Sequence, residues 1–287
     1  MSTVFFRDRF LDSSQLKIGL SNRALRYGDG CFESIRISNG SPVFWKRHNE
    51  RLNSSLKFLA IDFDLDQRII CNWIFELLKR NQVVNGTLRI QVFRDGGGKY
   101  TPETNQGCLL MECSSDGFSM YPQPVQEKSA FVFDRIRLPK HVFGNYKALN
   151  KSIHIAAAVE AKNVGVKEAI ILNTDGNATE GISSNIFALH NGTIITPSLS
   201  DGCLAGTIRS AILDGLLGKQ WTVLEGSLTM DALNQYEEIW VTNAITGISV
   251  IKRLENKFFG SIQAGKAQDI LSLAALNSCS DFQENLT

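Results

Sequence analysis

The chain has 287 residues, 43% hydrophobic and 21% charged, with a formal net charge of +1. That length suffices for one large or two medium domains with real cores, and the near-neutral balance gives no steering toward nucleic acid or an anionic membrane. No stretch nears the roughly 20 apolar residues of a membrane span, and the N-terminus lacks a basic-then-apolar signal layout, so the cytoplasm is the default compartment.

In chain order, Thr3 to Phe6 reads as a short strand and 21–30 (SNRALRYGDG) as a polar, glycine-punctuated loop. Cys31 to Ile37 alternates as a strand. Asn39-Gly40 is a hairpin turn, with Pro42 to Trp45 as the return. Lys46 to Leu59 is helical, with Leu52, Leu56 and Leu59 on one stripe and Arg51 at its border. Asp66 caps a second helix whose apolar set is Ile69, Ile70, Trp73, Ile74, Leu77 and Leu78. Thr87 to Phe93 and Cys108 to Glu112 are strands, and the loop between them carries three glycines and Lys99. The composition changes at 114–126 (SSDGFSMYPQPVQ), read as a linker between domains 1–113 and 127–287.

Beyond the linker, Ala130 to Leu138 is a strand, and Lys147 leads into an alanine-rich helix. The strand Glu168 to Asn173 turns at Asp175-Gly176 and delivers Glu180 into a small-residue loop, Gly181 to Asn185. A second turn, Asn191-Gly192, leads on to Gly206-Thr207, which opens a helix. Trp221 to Glu225 is a strand, Thr229 caps a helix, and Glu237 to Thr242 is a strand ending in Asn243-Ala244. Gly247 to Lys252 is extended, and a closing helix over 263–276 turns Ile270, Leu271 and Leu273 inward.

Taken singly, the polar residues are ordinary. One lysine among 30 basic residues is usually a solvated charge, a glutamate in a turn is usually solvated, and a serine-rich loop such as TEGISSN can cap its own backbone. Arg51 is most simply a helix-face cation with a snorkelling stem. The GGGK at 96–99 fails the Walker A spacing. Ser183 and Ser184 sit in no GxSxG elbow, and the four histidines show no metal-ligand spacing. The six cysteines (Cys31, Cys71, Cys108, Cys113, Cys203, Cys279) form no CxxC pair and read as reduced thiols, mostly core fillers. In combination, a lysine, an acid and a glycine at a helix start suit a phosphorylated aromatic aldehyde cofactor.

Six pieces in order give the chain a resemblance to the class IV aminotransferases, the fold type IV pyridoxal-phosphate enzymes: RALRYGDGCFESIRI (23–37), RHNERL (47–52), YKALN (146–150), ATEGISSNIF (178–187), TPSLSDGCLAGTIR (196–209) and EEIWVTNAITGISVI (237–251). The resemblance implies a two-domain α/β (α+β) fold, a smaller N-terminal domain and a larger C-terminal one with pyridoxal 5'-phosphate at the interface, and a homodimer. By position it implies that Lys147 is the Schiff-base lysine, Glu180 the partner of the pyridine nitrogen and Arg51 a grip on the phosphate. It further implies that Thr207 and Ile208 give backbone donors to phosphate, that Asn243 and Ala244 form a second phosphate loop, and that Leu204 packs on the ring face. Tyr27, Phe32 and Lys99 fall at substrate-pocket positions.

Three activities are weighed within the family: branched-chain aminotransferase, D-amino-acid aminotransferase and 4-amino-4-deoxychorismate lyase. The Lys-x-Leu-Asn form of YKALN is shared by the lyases and D-amino-acid enzymes, and VTNAITGI is most like the lyases, where Asn-Ala or Asn-Ser replaces Gly-Thr or Ser-Thr. The expected function is therefore the lyase, acting on a small-molecule amino substrate to form 4-aminobenzoate and pyruvate for folate precursor synthesis. A transaminase using 2-oxoglutarate and a non-catalytic cofactor-binding protein stand as alternatives. Two departures from the family pattern are the order Gly-Thr-Ile-Arg at 206–209 and the lysine at 99, where an arginine fork is usual.

Overall fold

The computed structural model describes residues 2–64, 66–123, 125–284 and 286. It divides the chain into two compact units, and neither is one continuous segment. The first comprises Met1–Met120, Lys147–Asn150 and Ala275–Thr287; the second comprises Tyr121–Tyr146 and Lys151–Ala274.

The first unit begins with β1 (Thr3–Phe6), β2 (Arg9–Asp12) and α1 (Arg23–Tyr27). The loop expected over 21–30 thus contains a short helix, capped by the Asn22 side chain on Leu25 N and ended by Gly28 in the left-handed region. The strand β3 (Gly30–Ser38) turns into β4 (Ser41–Pro42), and the expected return to Trp45 is cut short because α2 (Trp45–Phe58) has already begun. In α3 (Gln67–Arg80) the Asp66 carboxylate accepts from Arg68 N and Ile69 N, as expected of a cap. Ile70, Cys71, Ile74, Leu77 and Leu78 are buried, but Ile69 is 48% exposed. It lies one position off the 3.6-residue stripe set by Ile70, Ile74 and Leu77. Next come β5 (Gly86–Arg94) and β6 (Gly107–Ser115). These strands form an antiparallel sheet in the order β2-β1-β6-β5-β3-β4. Alternate residues of β5 are buried, and the core gathers Phe5, Ile35, Trp45, Leu52, Ile74, Leu88 and Ile90.

The second unit opens with β7 (Gln126–Leu138), α4 (Ser152–Asn163), β8 (Glu168–Asn173), β9 (Asn177–Gly181), β10 (Asn185–His190) and β11 (Thr193–Thr196). Asn191 and Gly192 both take positive φ, 47° and 75°, as the tight turn from β10 into β11 requires. Then follow α5 (Thr207–Leu213), β12 (Thr222–Glu225), β13 (Leu228–Thr229), β14 (Glu238–Asn243), β15 (Gly247–Leu254), β16 (Lys257–Phe258), α6 (Ile262–Asn277) and, in the first unit, α7 (Cys279–Gln283). Thr229 begins no α-helix: its hydroxyl accepts from Ala232 N ahead of a 3₁₀ turn, Ala232–Gln235. In α6 Leu271 is buried and Leu273 is 63% exposed, against expectation.

The strands run in the order β12-β11-β10-β14-β15-β7-β8-β9-β13, and β9 also pairs with β10. That last pairing, Asn185 with Glu180, closes six of the strands into a ring. All six residues of β8 and five of six in both β10 and β14 are buried, so these strands are apolar on both faces rather than alternating.

Candidate active site

Lys147 reaches the first unit on a four-residue strap. Phe32 N donates to Lys147 O, Leu149 N donates to Gly30 O, and Ala148 bridges Cys31. The strap runs along β3 and sets the half-buried lysine with its Nζ 4.6 Å from the centroid of the Phe32 ring, which Arg89 also approaches at 4.2 Å. Two cations on one aromatic ring use its negative faces.

The next residue of β3 is Glu33, which the sequence reading passed over. Its carboxylate accepts from Arg51 Nε at 2.8 Å and Arg51 Nη2 at 2.5 Å, and meets His48 Nδ1 at 2.7 Å. Glu33 and His48 are each 1% exposed. Burial alone would push the Glu33 carboxyl up, but the Arg51 and His48 contacts outweigh it and hold it at about 2. For His48, burial dominates and lowers the imidazole from its ordinary value. The register of β3 therefore joins Lys147, Phe32 and Arg51 in one neighbourhood, with Arg51 fixed by an acid 18 residues earlier.

Tyr27 and Lys99 meet through another residue without an assigned role. Arg23, 4% exposed, donates to Gly97 O (3.2 Å), Lys99 O (2.6 Å) and Tyr100 O (3.4 Å), while its Nε holds Asp29 at 2.7 Å. The Tyr27 ring lies under the Arg23 guanidinium and beside Tyr100. Lys99 itself is exposed.

In the second unit, Asn185 is the organising position. It is registered with Glu180 on one side and with Thr242 on the other. Its Nδ2 donates to Leu204 O at 2.7 Å, and its Oδ1 lies so close to Gly206 that a Cβ there would sit 1.8 Å away. A side chain at the cap of α5 would therefore displace Asn185, and the helix that starts there has Thr207 and Ile208 buried with their N–H groups in its first turn. The Glu180 carboxylate accepts from Leu204 N at 2.8 Å and touches His154 Nε2 at 2.6 Å. Burial pushes the acid up, but the His154 contact, Lys151 and Leu204 N together bring it below its ordinary value. Glu180, Leu204, Thr207 and Asn243 therefore come together on neighbouring strands and one turn.

The turn after β14 closes on itself. Asn243 Oδ1 accepts from Ile245 N, Thr246 N and Thr246 Oγ1 at 2.9–3.1 Å. The adjoining Thr242 hydroxyl is buried without a partner among the described residues. By contrast, the serine loop is spoken for: Glu168 Oε1 accepts from Ile182 N, and its other oxygen lies 3.5 Å from Ser184 Oγ. Arg209, 3% exposed, pairs with Glu225 and Pro197 O rather than facing solvent. All six cysteines are free thiols. Among the described residues no cluster of His, Cys, Asp and Glu suits a metal, and no helix is long and apolar enough to cross a membrane.

Comparison with known proteins gives the family. The chain is 27% identical to the aminodeoxychorismate lyase of Bacillus subtilis (strain 168) over 94% of its length and 92% of the relative's. It is 26% identical to the D-alanine aminotransferase of Bacillus licheniformis, over 96% of each. The crystal structure of the branched-chain aminotransferase from Thermoproteus uzoniensis, with norvaline, matches with a TM-score of 0.86 and 25% identity, covering 100% of this chain and 98% of that one. Residues 30–254 match the family model for amino-transferase class IV. With the model spanning most of the chain and the fold shared end to end, the protein belongs to the class IV aminotransferase family, the pyridoxal-phosphate-dependent enzymes of fold type IV.

Proposed function

We propose that this enzyme is a lyase that converts 4-amino-4-deoxychorismate into 4-aminobenzoate and pyruvate, supplying a folate precursor. The observation that carries the choice is the Asn243-Ala244 turn. Its asparagine oxygen takes up three donors of the turn, and Ala244 brings no hydroxyl. An Asn-Ala pair here is of the lyase type, where the transaminases resemble one another in carrying Gly-Thr or Ser-Thr.

The donor set fits the family's cofactor: an amine at Lys147, a buried ionised carboxylate at Glu180, and a buried hydroxyl at Thr242 without a partner among the described residues. When bound, pyridoxal phosphate supplies an electron sink for the carbon that bears the substrate amine. In this reading Lys147 holds the cofactor through its amine and afterwards takes the proton from that carbon. Glu180 keeps a proton on the ring nitrogen. Arg51, oriented by Glu33, would hold the phosphate together with backbone N–H groups of Thr207, Ile208 and the Asn243-Ala244 turn. Leu204 would pack on the ring face. Tyr27 and Phe32 border the substrate, and the Lys99 ammonium pairs with one of its carboxylates. Departure of the enolpyruvyl group as pyruvate leaves the ring aromatic, and no keto-acid acceptor is consumed.

Product analysis tests the reading: enzyme with aminodeoxychorismate alone, and enzyme with a panel of L- and D-amino acids plus 2-oxoglutarate. Aminobenzoate and pyruvate without acceptor is the expected result. Transamination with no aminobenzoate would overturn it in favour of a transaminase, the reading that the match to the D-alanine aminotransferase supports. The family resemblance also makes a homodimer of the 31.8 kDa chain the expected form; sedimentation checks the mass.

A further inference from the structure

His154 has no role in the sequence reading, yet it is the side chain set directly on Glu180. It stands in the first turn of α4, 14% exposed, with Nε2 2.6 Å from Glu180 Oε1. Leu204 N holds the other oxygen at 2.8 Å. One ionised carboxylate accepts about four hydrogen bonds, so two contacts on opposite oxygens leave lone pairs for a further partner. They also oppose rotation of the carboxyl plane, which is otherwise a soft torsion in glutamate.

We infer that His154 is a positioning residue for the enzyme's proton chemistry: its Nε2–H pins Glu180 Oε1 and fixes the plane in which the carboxylate meets the cofactor's ring nitrogen. This rests on the role proposed above for Glu180. The direction of the contact follows from charge. Glu180 is held ionised and can only accept, so the shared hydrogen resides on Nε2. Lys151, just before α4, adds positive charge toward the same carboxylate, but its flexible stem cannot set a plane as an imidazole does. The chain thus separates two tasks: the Leu204 turn places the acid, and α4 orients it.

The test compares His154→Phe, His154→Gln and Glu180→Gln with the wild type. The readouts are the titration of the Glu180 carboxyl in the apoprotein by ¹³C NMR, the pH titration of the bound cofactor's visible absorption, and kcat and KM. His154→Phe should move the carboxyl midpoint up by about one pH unit, the tenfold change in proton affinity expected for one lost charge-assisted hydrogen bond. It should also shift the cofactor's absorption titration and lower kcat roughly tenfold, with KM nearly unchanged. His154→Gln, whose amide places a donor near the Nε2 position, should restore most of each. In the Glu180→Gln background, His154→Phe should add little. Wild-type titrations in a folded His154→Phe protein would overturn the inference while leaving Glu180 in place. If His154→Phe fails to fold, His154→Asn, whose shorter amide cannot reach Glu180 Oε1 from the Nε2 position, takes its place, and additive rather than coupled effects of His154→Asn and Glu180→Gln overturn the inference. A cofactor spectrum indifferent to Glu180→Gln removes Glu180's role, and the inference with it.

Discussion

Burying a carboxylate costs several kcal/mol unless close partners compensate it, and Glu33, 1% exposed, has Arg51 and His48 as partners. Its carboxyl is held at about 2 against an ordinary 4.5. A depressed acid stabilises the fold above its unfolded value and loses that contribution as pH falls from about 4.5 toward 2, for a total of about 3 kcal/mol. Glu33→Gln should therefore lower stability by about that amount at pH 6, and the gap to wild type should narrow by pH 3. Urea unfolding at both pH values measures it; a gap independent of pH would mean that the Arg51 pair contributes nothing specific. At Lys147 the expected outcome is chemical. Lys147→Ala should lose the covalent cofactor link and its visible absorption, and borohydride reduction of the wild type should label the peptide containing Lys147. Label on another lysine would refute the assignment. The candidate residues of each unit could be read only by motif. Lys147, Arg51 and Glu180 stand inside recognisable strings, whereas Glu33, His154, Arg23 and Asn185 matter through partners brought near by strand register and helix placement, which no local pattern encodes.

Elements with a strong period or turn signal were legible almost to the residue. The strand Glu168–Asn173 matches its expected bounds, and Asp66 caps α3 as read. What escaped were elements too short to show a period, such as the five residues of α1, and faces decided by tertiary packing, such as Leu273. The close approach of Gly206 to Asn185 also lies beyond sequence, and it predicts a sharp substitution effect. In Gly206→Ala the added carbon would collide with Asn185 Oδ1. Asn185 would have to shift, giving up its hydrogen bond to Leu204 O and loosening the turn that holds Leu204 N on Glu180. Cofactor affinity should fall tenfold or more while the protein remains folded, roughly the loss of one hydrogen bond to a charged group; unchanged affinity would show the turn to be slack. A second prediction concerns the Lys99 loop. Arg23→Met removes the donor shared by three carbonyl oxygens, so amides at 96–101 should exchange faster than in wild type. Equal exchange would mean the loop is held by other contacts.

At the scale of the whole molecule, the notable fact is that each unit is discontinuous in the chain. The first unit's sheet and its helices α1, α2 and α3 come from the N-terminal stretch, yet its core includes Phe282 of α7, fully buried near the far end. Phe282 packs edge-on against Trp45 with ring centroids 6.1 Å apart. Just before α7, Ser278 Oγ accepts from Phe44 N at 2.9 Å, at a residue held in the left-handed region with φ of 53°. The contact therefore fixes the entry into α2, and through α2 the placement of His48 and Arg51 on Glu33. Phe282→Ala should cost about 3–5 kcal/mol, as for other buried aromatic truncations. Because Trp45 begins α2, the loss should appear in the amides of α2 and β3, remote in sequence from the substitution. Hydrogen exchange followed by peptide mass analysis reads both regions at once. Exchange that quickens in α7 alone would mean the C-terminal segment is merely appended. Exchange that quickens in α2 and β3 as well would mean that residues 275–287 are an integral part of the unit holding the Lys147 strap.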